Sequence, residues 1–184
     1  MSSGQKAVLM VGPILFLLIL VSSASAARFG IGGFAGINIP LAQEDVKSGI
    51  LYGAKGRIPL LPVLGVEPNF VFSKYGDKDI DNVGTREGGT ITSFGADLIL
   101  GNPIGFSRGR FYVLLGINAN TLKREGLSDQ TQFGLSFGPG FEFLPTEVLG
   151  IEVRARLHGI SLEGGGGRNN LELSGGLNYY FGQD

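Results

Sequence analysis

The sequence predicts an all-β chain, folded as one eight-stranded antiparallel up-and-down barrel. Three observations carry this expectation. Apolar residues recur at every second position in eight separate segments, the signature of a strand with one apolar face. Those segments run to roughly 10 to 12 residues, long against the usual mode of about 5 to 6. The connections between them alternate, polar at one end and short, apolar or proline-bearing at the other, as an up-and-down meander requires.

The chain opens with "MSSGQKAVLMVGPILFLLILVSSASAA". Lys6, an apolar run from Ala7 to Val21 and the small residues Ala24-Ser25-Ala26 have the pattern of a secretory signal peptide over 1–26, with cleavage expected after Ala26 or Ala27. Gly12 and Pro13 interrupt the run, which is short against the roughly 20 residues of a transmembrane helix. The sequence holds no cysteine, so neither a lipid anchor nor a disulfide framework is expected. About 158 residues follow (27–184), enough for one barrel domain and nothing appended, such as a peptidoglycan-binding unit. A formal net charge of −1 gives no reason to expect nucleic acid as a partner.

The first alternating segment presents Phe29, Ile31, Gly33, Ala35, Ile37 and Ile39, and the second Ile50, Tyr52, Ala54, Gly56 and Ile58. The third gives Leu64, Val66, Pro68, Phe70 and Phe72, and the fourth Thr90, Thr92, Phe94, Ala96, Leu98 and Leu100. Phe111, Val113, Leu115, Ile117 and Ala119 form the fifth. The sixth, "QFGLSFGPGFEF", alternates most regularly, from Phe133 to Phe143. Leu149, Ile151, Val153, Ala155 and Leu157 make the seventh, and Leu171, Leu173, Gly175, Leu177, Tyr179 and Phe181 the eighth. Pro68 and Pro139 fall in mid-strand, where each removes a ladder donor, so a bulge or local bend is expected at both.

Period two does not say which face is inside, because a soluble barrel alternates too. None of the apolar-face positions carries a charge, as a lipid-facing surface requires when Lys or Arg at the bilayer midplane costs about 2 to 4 kcal/mol. The opposite face mixes charges with glycines (Gly30, Gly32, Gly53, Gly65, Gly95, Gly116, Gly134, Gly138, Gly140), which suits a crowded narrow interior and not an exposed soluble one. The expectation is therefore a transmembrane barrel with its polar face inward. The chain also ends on Ser174-Gly175-Gly176-Leu177-Asn178-Tyr179-Tyr180-Phe181. With Ser174, Gly176, Tyr179 and Phe181 in the pattern positions, this resembles the assembly signal of bacterial outer-membrane barrels, although Gly182-Gln183-Asp184 follow the last aromatic.

Taken whole, the chain resembles the small eight-stranded bacterial outer-membrane β-barrels of the OmpA/OmpX kind. That resemblance implies an outer-membrane location, contact with lipid and lipopolysaccharide, assembly by the barrel-assembly machinery, and a monomer with a structural or surface-interaction role.

By parity the inward charges are Lys55, Arg57, Glu67, Asp97, Arg110, Glu142, Glu152, Arg154, Arg156 and Glu172, five of each sign. Ions in a narrow interior must be paired or hydrated, so a balanced set predicts a cross-strand network that fills the lumen. The alternative use of the same charges is a narrow ion-conducting path.

His158, with Ser161 close behind and Glu172 as an acidic partner, is the catalytic candidate. The stretch loosely resembles the His-x-Ser motif of outer-membrane lipid A deacylases, but Ile160 stands in the serine position and Leu162 where the family has asparagine. A spacing of three puts His158 and Ser161 on opposite faces of a regular strand, so hydrolysis requires a bulge at Gly159. "GIGGFAG" contains Gly30-x-Gly32-x-x-Ala35, yet it lacks the following helix of a dinucleotide site. "GDKDIDNVGTREGG" holds Asp77, Asp79 and Asp81 but lacks the spacing and late Glu of a calcium loop, and reads as a solvated hairpin. No cofactor or metal is expected.

Overall fold

A computed structural model describes residues 29–41, 47–61, 63–80, 84–86, 88–101, 108–123, 129–161 and 166–181. The expected signal segment at 1–26, most of the polar loops and Gly182-Gln183-Asp184 lie outside the described residues.

Eight long strands close into an antiparallel barrel. They are β1 (Phe29–Pro40), β2 (Lys47–Leu61), β3 (Leu64–Gly76), β6 (Thr90–Gly101), β7 (Gly109–Lys123), β8 (Gln130–Phe143), β9 (Leu149–Ser161) and β10 (Gly167–Phe181). Each pairs with its neighbour in the chain, and β1 pairs with β10 to shut the ring. Every edge is thereby paired, the condition under which strands tolerate a hydrocarbon environment. The connection after β3 is itself a small antiparallel ribbon of β4 (Lys78–Ile80) and β5 (Gly84–Arg86), in keeping with the expected hairpin.

The alternation in the sequence becomes an inside and an outside. Phe94, Phe111, Ile117, Leu135 and Leu177 point outward and are more than half exposed, whereas Asn38, Glu67, Asp97, Asn120 and Glu142 point inward and are at most 2% exposed. A surface that leaves so many large apolar side chains uncovered is suited to lipid. Aromatic rings mark both rims. Phe29 stacks on Phe181 at 6.3 Å and Phe111 meets Phe141 at 4.6 Å near the short-turn end, while Tyr52 meets Phe72 at 5.2 Å toward the polar-loop end.

Of the bulge or local bend expected at each proline, no bulge occurs, and the ladder is interrupted without a change of register. From Asn69 facing Lys55, the β2–β3 register resumes at Val66 facing Ile58 without a shift, so the ladder passes Pro68 by skipping rungs. Across β8–β9 it likewise runs in constant register from Phe137 facing Leu157 to Gly140 facing Arg154, past Pro139. Each proline stays paired on its other side, Pro68 with Ala96 and Pro139 with Val113. The missing donor faces one neighbour only, so the closed ring absorbs it locally. Register shifts do occur in β2–β3, between Lys47 and Ile50 and between Pro59 and Leu61.

Candidate functional site

The interior is the chemically distinctive part of the molecule. Seven of the eight barrel strands send a charged side chain into it, and β1 supplies none, its Gly30, Gly32 and Gly36 leaving room for the others. All ten inward charges read from the sequence are at most 7% exposed.

Arg57 on β2 is the hub. Its Nε and Nη2 donate to Oε2 of Glu67 at 3.0 and 2.6 Å, and Nη2 also donates to Oε2 of Glu152 at 2.6 Å. Its Nη1 donates to Glu142 Oε2 at 3.0 Å and to the Tyr180 hydroxyl at 2.9 Å. One planar guanidinium thus joins carboxylates from three strands, which its fixed fork of donors allows and an ammonium would not. Lys55, two residues before it, pairs with Glu152 and lies 3.8 Å from Glu67.

Arg154 on β9 reaches Glu67 at 2.5 Å, Glu152 at 3.0 Å and Asp97 at 3.5 Å. Its Nε donates to the Tyr112 hydroxyl at 3.2 Å. Two guanidinium groups lie over the Tyr112 ring, that of Arg57 at 5.1 Å and that of Arg154 at 5.7 Å from its centroid. Arg156 binds Glu172 through Nε at 2.7 Å and Nη2 at 2.6 Å, and approaches Asp97 at 3.5 Å. Asp97 therefore links the two halves of the network. Arg110 sits 3.6 Å from Glu142 and 5.4 Å from the Tyr180 ring.

Close packing leaves little space among these groups. A Cβ at Gly116 would lie 1.9 Å from Asp97 Oδ1, one at Gly140 2.1 Å from Tyr112 Cζ, and one at Gly150 2.2 Å from Glu142 Oε1. Apolar residues pack beside the network along the axis. Tyr75, Ile91 and Ile160, with Leu122 against them, cluster inside the barrel at the polar-loop end. Ile99, Tyr112 and Leu114 cluster toward the short-turn end.

Of the three catalytic candidates, His158 and Glu172 come together and Ser161 stands apart. His158 lies in the lumen, 3% exposed, with Nδ1 3.0 Å from Glu172 Oε1. Ser161 is exposed at the end of β9. Gly159 faces Leu135 on one side and Asn169 on the other in unbroken register, so the bulge that hydrolysis required is not there. With Ser161 on the other face of β9, the His158–Glu172 pair cannot activate its hydroxyl. Among the assembly-signal residues, Tyr179 and Phe181 point outward at 53% and 45% exposure, while Ser174 and Gly176 take the inward positions of β10. Among the described residues no group of His, Asp and Glu is arranged to hold a metal ion.

Sequence reasoning missed Tyr112, Tyr180 and Asn178 as members of the network. Asn178 donates to Glu142 at 2.6 Å, and the Tyr180 hydroxyl donates to the same carboxylate at 2.6 Å. The available signal was parity: Tyr180 sits between the outward Tyr179 and Phe181, so its ring must point in.

The chain matches the family model described as "Outer membrane protein beta-barrel domain" over residues 14–181. No curated protein matches it. Among solved structures it is similar to neisserial surface protein A, with TM-score 0.68 and 19% identity, covering 83% of this chain and 97% of that one. OprG of Pseudomonas aeruginosa gives TM-score 0.56 and 19% identity, covering 86% and 97%. A major outer membrane protein of Thermus thermophilus gives TM-score 0.56 and 15% identity, covering 85% and 100%. These likenesses concern the fold.

Proposed function

We propose, because the chain belongs to the outer membrane protein beta-barrel domain family, that this outer-membrane barrel is a non-conducting structural or surface-interaction protein. Its interior acts as a structural plug, and its contacts with other molecules are made at the outer wall and the loop end. One observation carries the proposal: five cations and five carboxylates, contributed by seven strands, share one buried cross-lumen network. A conducting path needs water or a row of exchangeable sites, whereas these charges are paired with one another across the lumen. Eight strands enclose an interior just wide enough for side chains, which supports the same conclusion.

Export through the 1–26 segment, handling by the barrel-assembly machinery through Ser174, Gly176, Tyr179 and Phe181, and a monomeric state are parts of this proposal. The enzyme alternative loses its support from the separation of His158 and Ser161. Expression in a Gram-negative host tests the proposal: the protein is expected in the outer-membrane fraction with heat-modifiable gel migration, and recovery as a soluble periplasmic protein would falsify it.

A further inference from the structure

Charges are excluded from the outward wall over most of its height, yet three lysines stand on it at one rim. Lys74 on β3 continues the outward row of Phe70 and Phe72, and Lys123 on β7 continues the row from Phe111 to Thr121. Both are exposed, and the register places Thr90 of β6 directly between them. Lys47 joins them through an irregularity. The β2–β3 register shifts by one residue between Ile50 and Lys47, so that Lys47 faces Gly76, which shares a face with Lys74. Without that extra residue Lys47 would point to the other face of the sheet. A Cβ at Gly76 would lie 3.3 Å from Cβ of Lys47, consistent with the two sharing a side.

Lys47 and Lys74 stand on adjacent strands and β6 separates Lys74 from Lys123, which puts the last two about 10 Å apart at two strand spacings. One row down, about 7 Å along the strands, lies the outward row of Tyr52, Phe72, Thr92 and Thr121. The rest of the rim differs: among the described residues, the outward positions Thr131, Ser161, Asn169 and Leu41 of the β8–β9–β10–β1 side carry no charge. A cationic patch that looks toward lipid, at headgroup height above an aromatic belt, is suited to anionic headgroups. Asp129 pairs with Lys123 at 2.7 Å, both more than half exposed, and so competes for one of the three cations.

We propose that Lys47, Lys74 and Lys123 form a lipid-facing site for a phosphorylated lipid of the outer leaflet, held by its headgroup phosphates on one side of the barrel. The proposal rests on the outer-membrane assignment and on the polar loops being external. It adds the residues that hold the headgroup and a preferred side of the barrel.

Native mass spectrometry of the full-length protein in detergent tests it, with diphosphoryl lipid A, its phosphate-free counterpart and inorganic phosphate as probes. The wild type is expected to retain the diphosphoryl form more tightly than the phosphate-free form by on the order of tenfold to a hundredfold, the range for one to three lysines beside anionic headgroups. Lys47→Gln/Lys74→Gln/Lys123→Gln is expected to lose the preference and keep heat-modifiable migration. Asp129→Asn, which releases Lys123, is expected to raise it severalfold. Equal retention of both lipids by the wild type, an undiminished preference in the triple variant, or displacement of the lipid by equimolar inorganic phosphate would each overturn the site. Because migration is read separately, such a failure leaves the barrel assignment standing.

Discussion

Arg154 of β9 donates from Nη2 to Glu67 Oε1 of β3 at 2.5 Å, joining two strands four places apart in a ring of eight. It is a strut across the full width of the lumen, as is the contact of Arg57 on β2 with Glu142 on β8. Stripping one partner from a buried pair leaves an uncompensated charge and costs about 3 to 5 kcal/mol. Arg154→Met and Glu67→Gln are each expected to lower stability by that amount, measured by urea unfolding in lipid vesicles. The double variant is expected to lose less than the sum of the two by at least about 1 kcal/mol. Additive losses would mean that the strut carries no coupling.

The lining glycines and the outward ones make opposite predictions. Gly116→Ala would drive a methyl into the Asp97 carboxylate and the Ser136 hydroxyl, which lie 1.9 and 2.2 Å from the ideal Cβ position. It is expected to cost about 1 to 3 kcal/mol, as overpacking does. Gly33→Ala on the lipid side meets nothing nearer than the Gly53 carbonyl oxygen at 3.8 Å and is expected to stay within about 0.5 kcal/mol of wild type. Thermal midpoints of heat-modifiable migration compare the two.

Which parts of this architecture the sequence shows follows from what period two encodes. It tells face from face along a strand, so Phe94, Phe111 and Leu135 can be assigned to lipid, and Glu67, Asp97 and Arg154 to the opposite side, before any coordinates. It does not encode which strand stands opposite. Neighbouring-strand logic offers Arg57 with Glu67, but the links from Arg57 to Glu142 and from Arg154 to Glu67 depend on ring closure and strand stagger. The apolar clusters are hidden for a related reason. Ile91, Ile99, Leu114 and Ile160 are inward by parity, yet their apolar character blends with the lipid-facing residues on either side. The prolines mislead because their cost depends on which neighbour the missing donor faces, a property of the sheet and not of the strand.

His158 and Ser161 lie on opposite faces of β9, which predicts different phenotypes for their removal. His158→Ala deletes the bond to Glu172 and is expected to cost about 1.5 to 3 kcal/mol, the range for a hydrogen bond to a charged group. Ser161→Ala is expected to be silent within about 0.5 kcal/mol. Neither variant is expected to alter the lipid A mass profile of an expressing strain relative to wild type. A loss of acyl chains that depends on both residues would restore the hydrolase.

Single-channel recording in planar bilayers tests the filled lumen most directly. With the refolded protein at high load the bilayer is predicted to stay silent at both polarities, and Arg154→Met or Arg156→Met to show any conductance only where the network has been opened. Reproducible current steps from the wild type, changing in size or ion preference when Arg154 or Arg156 is neutralised, would contradict the account.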